Sequence, residues 1–311
     1  MICLVTGACG FIGTNIVDHL AGFHEITGID NLSRKGSGDN LAYLSKYYPK
    51  VDFHCLDIRY PIPDNFPDVG AIYHMAAQVG VQSSINDPRN DFEVNALGTF
   101  NLLEYARRMD KPPIFVFAST NKVYGNLQTS DPVSEQQPLD FHTPYGVSKG
   151  AAEQYVLDYS RMFGIKGLVF RQSCIYGDFQ LGAEEQGWVA WFLIANRKKQ
   201  PLTIYGDGTQ RRDVLYIKDL MELYDKCLET DNYGKAYNVG GGKGNTLSLL
   251  ELVDKAKITT KISYSDWRPA DQKCYISDIE KVKNDFDWQP KVGVEEGLER
   301  LNKYVGGGWR K

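Results

Sequence analysis

Short apolar runs alternate with amphipathic stretches through the first half of the chain. Residues 2–5, Ile-Cys-Leu-Val, are continuously apolar and stop at Thr6-Gly7. Residues 10–20 follow, with Ile12, Ile16, Val17 and Leu20 spaced to share one helical face. Further strands are expected at 25–30, 51–55, 71–74, 114–118 and 167–171, with long helices over 86–109 and 144–163. Strand, helix, strand in repetition predicts a parallel sheet covered on both faces. After residue 175 the segments shorten, and Gly206-Asp207-Gly208 and Gly240-Gly241-Gly242 punctuate them. The expected organisation is an α/β domain over 1–175 and a smaller lobe over most of 176–311. One segment near 213–240 is expected to return to the main sheet.

Composition narrows the class. The 311 residues include 35 Lys plus Arg and 39 Asp plus Glu, a formal charge of −4, and no Lys/Arg run exceeds three. That argues against nucleic acid as a partner. No apolar run reaches the roughly 18 residues of a membrane helix, so no membrane is expected, and residues 1–5 read as a strand and not a leader. The six cysteines are scattered without a C-x-x-C pair. Reduced thiols in a cytoplasmic protein are the expectation, with no metal site.

Candidate chemistry begins at Gly7-Ala8-Cys9-Gly10-Phe11-Ile12-Gly13, between the first strand and the first helix. The first glycine permits the tight turn, the second lets backbone approach a pyrophosphate, and the third lets helix and strand pack closely. The helix N-terminus offers N–H groups to phosphate. Asp30 lies 20 residues beyond Gly10, at the end of the second strand. An acid there accepts hydrogen bonds from ribose hydroxyls and repels a 2′-phosphate, which favours NAD over NADP. Arg34, four residues on, is the one feature pointing the other way.

The second signal is Thr143-Pro144-Tyr145-Gly146-Val147-Ser148-Lys149. Pro144 suits a first helical position. Tyr145 and Lys149 are then four apart on one face. An ammonium beside the phenol would favour phenolate and lower a pKa normally near 10, so the pair could take a proton from a sugar hydroxyl. Ser119-Thr120 precede it at a strand end.

These residues make the chain resemble the extended short-chain dehydrogenase/reductase superfamily, in particular its nucleotide-sugar epimerases and dehydratases. The matching motifs are Thr6-Gly7-x-x-Gly10-x-x-Gly13, Asp57-Ile58-Arg59, His74-Met75-Ala76-Ala77-Gln78, Asn95-x-x-Gly98-Thr99, Val123-Tyr124-Gly125, Tyr145-x-x-x-Lys149 and Arg212-Asp213. The resemblance implies a Rossmann-type doubly wound parallel sheet with a smaller C-terminal α/β substrate-binding lobe. It implies that NAD is held by Gly7, Gly10, Phe11, Ile12, Gly13, Asp30, Asn31, Ser33, Arg34, Asp57, Ile58, Ala76, Ala77, Gln78, Asn95, Ser119, Tyr145 and Lys149. Thr120, Tyr145 and Lys149 are the implied catalytic residues. Thr120 stands where the family places a hydroxyl against the reacting sugar oxygen.

Sugar 4,6-dehydratases carry Asp-Glu after that threonine. Here Asn121 and Lys122 follow, and neither supplies the carboxyl pair. Dehydration is disfavoured, leaving oxidation and re-reduction. A narrower resemblance is to CDP-sugar 2-epimerases of the paratose/tyvelose type. It is carried by residues 30–34, 119–125, 148–152 and 170–177, and most specifically by Glu185-Gln186-Gly187-Trp188-Val189-Ala190-Trp191-Phe192. The implied reaction removes hydride from C2 and returns it to the opposite face of a 2-keto sugar. A UDP-sugar 4-epimerase is the alternative, and a non-catalytic dinucleotide-binding regulator is a remote one. The implied substrate contacts are Thr120, Asn121, Gln172, Gln186, Trp188, Arg212, Arg268 and Asp271, with the two arginines on the diphosphate. A homodimer built on the helices starting near 86 and 144 is also implied.

Overall fold

The structure is a computed structural model that describes residues 1–127, 129–268 and 271–308. In chain order the first half runs β1 (Ile2–Thr6), α1 (Phe11–Leu20), β2 (Glu25–Asp30), α2 (Ser37–Tyr47), β3 (Asp52–Cys55) and β4 (Ala71–His74). The short helices α3 (Val81–Asn86) and α4 (Pro88–Phe92), a π turn (Glu93–Leu97) and α5 (Gly98–Arg107) come next. They lead to β5 (Ile114–Thr120), a 3-10 turn (Asn121–Tyr124), α6 (Pro144–Phe163) and β6 (Lys166–Gln172). The predicted strands are all present. The helix expected over 86–109 is broken. Pro88 has no N–H to continue α3, so Asp87 caps a new helix by accepting the Asn90 N–H at 3.1 Å. The π turn then re-aims Asn95 before α5 begins.

The later chain supplies β7 (Cys174–Tyr176), α7 (Trp188–Arg197), β8 (Leu202–Tyr205), β9 (Arg211–Tyr216), α8 (Ile217–Lys226) and β10 (Lys235–Val239). It ends with β11 (Thr246–Ser248), α9 (Leu249–Lys255), β12 (Ile262–Ser265), β13 (Cys274–Tyr275), α10 (Glu280–Phe286) and α11 (Val294–Lys303). A seven-stranded parallel sheet has the order β10-β6-β5-β4-β1-β2-β3. The central strands are apolar on both faces because helices cover both. Leu4 and Val5, adjacent on β1, are each fully buried, in separate apolar clusters. The strand order reverses between β1 and β4, and ligands of such sheets bind beyond the carboxyl ends of the strands at that point. Outside the main sheet, β9 pairs with β7, β11 and β13, and β8 pairs with β12.

Candidate active site

Everything the glycine motif requires is local. Gly7 has φ +65°, and a Cβ on it would stand 2.7 Å from the Ala76 nitrogen. A Cβ on Gly13 would stand 2.0 Å from the Gly7 carbonyl oxygen, so only glycine lets α1 lie this close to β1. The N-terminus of α1 has neither a side-chain cap nor an acid in its first turn, which leaves N–H groups and the positive end of the helix dipole facing outward. Asp30 closes β2. Its carboxylate accepts the Cys9 N–H at 3.0 Å and the Leu32 N–H at 2.8 Å. Asn31 donates to Asp57 at 3.1 Å, and Asp57 is paired with Arg59 at 2.7 Å, which holds the Asp57 carboxyl down to about 2.

Gly7, Gly10, Phe11, Ile12, Gly13, Asp30, Asn31, Ser33, Arg34, Asp57, Ile58, Ala76, Ala77 and Gln78 all line one groove of ≈ 610 Å³ along these strand ends. Asn95 does not line it. Its amide instead accepts the Gln78 N–H at 3.0 Å and donates to the Gln78 carbonyl at 2.9 Å, fixing the loop that does. A glycine cradle, an uncapped helix N-terminus and a backbone-oriented acid together fit a dinucleotide.

A second cavity of ≈ 380 Å³ continues from the groove through Phe11, Ile12, Met75 and Ala77. Ser119, Thr120, Asn121, Tyr145, Lys149, Gln172, Gln186, Trp188, Arg212, Arg268 and Asp271 line it, although they come from widely separated segments. Pro269 and Ala270, inside the Arg268–Asp271 motif, lie outside the described residues. Thr143 caps α6 by accepting the Gly146 N–H at 3.1 Å, worth about 1 kcal/mol, and so starts the helix at the right place for Tyr145. On β9, neighbouring residues face opposite ways. Arg212 reaches the cavity and pairs with Asp271 at 2.9 Å, while the fully buried Asp213 accepts the Ser173 hydroxyl and the Gly242 N–H as a structural anchor.

The Tyr145–Lys149 relation differs from the sequence expectation. Burial pushes the Tyr145 hydroxyl up to about 12; its hydrogen bond with Thr120 acts downward, the Asp91 carboxylate upward and Arg34 downward. Lys149 lines the same cavity. Its ammonium packs 4.1 Å from the centroid of the Phe117 ring, and burial brings it down to about 7 against the opposing pull of Asp91 and Glu153.

Two carboxylates beneath this pair carried no signal in the sequence. Asp91, fully buried, accepts from Ser148 and from Asn95 at 3.2 Å, tying α4 to α6. Glu153 accepts the Ser119 hydroxyl at 2.8 Å and pairs with buried Arg171, which also donates to Tyr124 at 2.8 Å. Breaking such a pair costs about 3–5 kcal/mol, so Ser119 is anchored at the end of β5 as well as lining the cavity. A further unforeseen feature is the segment over 178–187, which straps the groove. Asn15 donates to the Asp178 carbonyl at 2.8 Å, Arg34 to Gln186 at 2.6 Å, and Ser83 to Glu185 at 3.0 Å. His74, inside one of the quoted motifs, is held between Thr6 at 2.8 Å and Thr99 at 2.9 Å, and burial keeps its ring neutral.

Comparison with known proteins gives the family. A family model described as GDP-mannose 4,6 dehydratase matches residues 4–301. The chain is 40% identical to a CDP-paratose 2-epimerase of Salmonella typhi over 96% of this chain and 97% of that protein. It is 34% identical to a putative UDP-glucose 4-epimerase of Methanocaldococcus jannaschii, over 97% of each. The crystal structure of UDP-glucuronic acid 4-epimerase from Bacillus cereus, in complex with UDP-glucuronic acid and NAD, superposes with a TM-score of 0.86 at 28% identity. That match covers 99% of this chain and 100% of the other.

Proposed function

This chain belongs to the GDP-mannose 4,6 dehydratase family, within the extended short-chain dehydrogenases/reductases, and from that premise we propose that it is an NAD-dependent nucleotide-sugar epimerase inverting C2 of a CDP-sugar. One observation carries the epimerase reading. Tyr145 and Thr120 line the cavity that shares Phe11, Ile12, Met75 and Ala77 with the groove, and the next two residues, Asn121 and Lys122, line it too without a carboxylate between them. When bound, NAD supplies the reversible hydride acceptor that inversion at a hydroxyl-bearing carbon needs. Tyr145 takes the hydroxyl proton and gives it back, and Thr120 orients the reacting oxygen. Lys149, buried beneath, adds positive charge to that end of the cavity when protonated. Arg212 and Arg268 hold the diphosphate. The identity to the Salmonella protein supports C2 and a cytidine nucleotide; the likeness to 4-epimerases supports C4 as the second reading.

The exposed apolar residues Ile85, Phe92, Val147, Tyr155 and Met162 on α3, α4 and α6 support a homodimer through those helices. Six free cysteines, and no membrane-length apolar helix among the described residues, support a cytoplasmic location. The test is a panel of CDP-, UDP-, GDP- and dTDP-sugars with the product epimer assigned by NMR. In D2O the inverted carbon should keep its protium. Deuterium entering there would replace this mechanism with proton abstraction from carbon.

A further inference from the structure

Lys122 is the member of the Thr120-Asn121-Lys122 motif that the proposed chemistry leaves without a task. It sits in the 3-10 turn directly after β5. Its N–H donates to Thr120 Oγ1 at 3.2 Å, its carbonyl accepts the Gly125 N–H at 3.2 Å, and a Cβ on Gly146 would stand 3.1 Å from that carbonyl. The backbone is therefore clamped between the end of β5 and the first turn of α6, beside Tyr145. The side chain lines the cavity, and among the described residues its amine has no hydrogen-bond or ion-pair partner. The charged or titratable groups facing it are Arg212 from β9, Asp271 from the segment before β13, and the Cys174 thiol from β7. Burial and Arg212 bring the amine down to about 8, with Asp271 acting the other way.

The other cations at this end are already engaged. Arg212 donates to Asp271 at 2.9 Å, to the Arg211 carbonyl at 2.8 Å and to the Gln272 carbonyl. Arg268 donates to the Glu184 carbonyl at 3.1 Å and stacks 3.9 Å from the Tyr205 ring centroid. A nucleotide-diphosphate sugar brings two negative charges. Apart from Lys122 and Lys149, the charged residues of the lining are Arg212, Arg268, Glu184, Glu185 and Asp271, which sum to −1.

The geometry points to Lys122 as the cation that receives the sugar-side phosphate, drawing the anomeric end of the sugar toward Thr120 and Tyr145. The inference rests on the nucleotide-sugar reading and deepens it. C2 is bonded to the anomeric carbon, whereas C4 lies across the ring. A phosphate held two residues from Thr120 presents C2 to the base.

The test is calorimetric titration of the full chain with CMP, CDP, UMP and UDP. Lys122→Met should weaken CDP by about tenfold or more, as expected for a lost charged hydrogen bond, with CMP unchanged and Lys122→Arg restoring most of the loss. In the wild type, CDP affinity should fall as pH rises past 8, because the amine must then take up a proton to bind; in Lys122→Arg it should not. An unchanged CDP-to-CMP ratio in a folded Lys122→Met protein would overturn the assignment while leaving the nucleotide-sugar reading intact. Should that variant fail to fold, a flat wild-type pH response overturns it equally. If the wild type binds neither CDP nor UDP, reading and assignment fall together.

Discussion

The groove proposed for the dinucleotide and the cavity proposed for the sugar share a wall at Phe11, Ile12, Met75 and Ala77, but they are built differently. The groove is largely backbone. Its key contacts are N–H groups, glycines that admit a close approach, and Asp30, whose two oxygens are fixed by the N–H groups of Cys9 and Leu32. Four strand ends, β1 to β4, supply most of it. The cavity is side-chain built, and its pieces run from Phe11 to Asp271. Tyr145 and Lys149 are buried and Lys122 is half-buried, and desolvation displaces all three from their usual ranges. A backbone site tolerates most side-chain changes but few at glycine. A side-chain site can be altered one atom at a time, and this makes its parts separable.

The largest expected effect lies in the cavity. Tyr145→Phe removes the hydroxyl and leaves the ring, so turnover should fall about 10²–10⁴-fold, the range for a lost general acid–base group. Nucleotide released on denaturation should still be NAD in the wild-type amount. Loss of bound NAD in this variant would show that the two regions are not separable. The converse change is Asp30→Ala. Charged hydrogen bonds to ribose hydroxyls contribute roughly 1.5–3 kcal/mol each, so NAD retention should fall about 10–100-fold. Release of NADP from the wild type, or undiminished NAD in the variant, would remove Asp30 from its assigned role.

Thr120→Val should be milder. It deletes one neutral hydrogen bond to the reacting oxygen and one to the Lys122 N–H, about 1–2 kcal/mol, so kcat should drop about tenfold with CDP affinity unchanged. A rise in the dissociation constant for CDP equal to the fall in kcat would make Thr120 a binding residue and not one that acts on the reacting oxygen.

The same contrast explains what the sequence disclosed. Gly7, Gly10, Gly13 and Asp30 lie in one short stretch, and their spacing encodes the turn, so the groove could be read almost residue by residue. The strands read correctly because their short apolar or β-branched runs are bounded by turn residues, while the helix over 86–109 failed at Pro88, where a local breaker outweighed the periodicity. Tyr145 and Lys149 were legible as a pair on α6, but the resting place of the ammonium was not, because Phe117 on β5 helps decide it. Asp91 and Glu153 were invisible for a related reason. An acid in an amphipathic pattern reads as solvent-facing, and only packing of α4 and α6 against the sheet shows that both are fully buried. Lys122 stood out as a missing acid; its placement in the cavity needed the turn after β5.

The smallest effect separates stability from activity in the cavity. Lys149 is held near 7 in the fold, well below its ordinary 10.5, so the unfolded chain binds more protons between these values. Stability should therefore rise with pH across that window, and the cost of burying this amine should be fully present below 7. Lys149→Met removes the cost together with the charge. It should raise the melting temperature by a few degrees at pH 6–7, where about 1 kcal/mol corresponds to roughly 2–4 °C, while turnover collapses. The gain should shrink steadily toward pH 10.5, where wild-type Lys149 is neutral in both states. Asp91 and Glu153 set the size of the gain, since each loses a cation; Glu153 keeps Arg171, and Asp91 keeps its bonds from Ser148 and Asn95. A variant less stable than wild type at pH 6 would mean that the two carboxylates hold Lys149 charged in the fold. The ammonium would then be part of the resting site, as its four-residue spacing from Tyr145 first suggested.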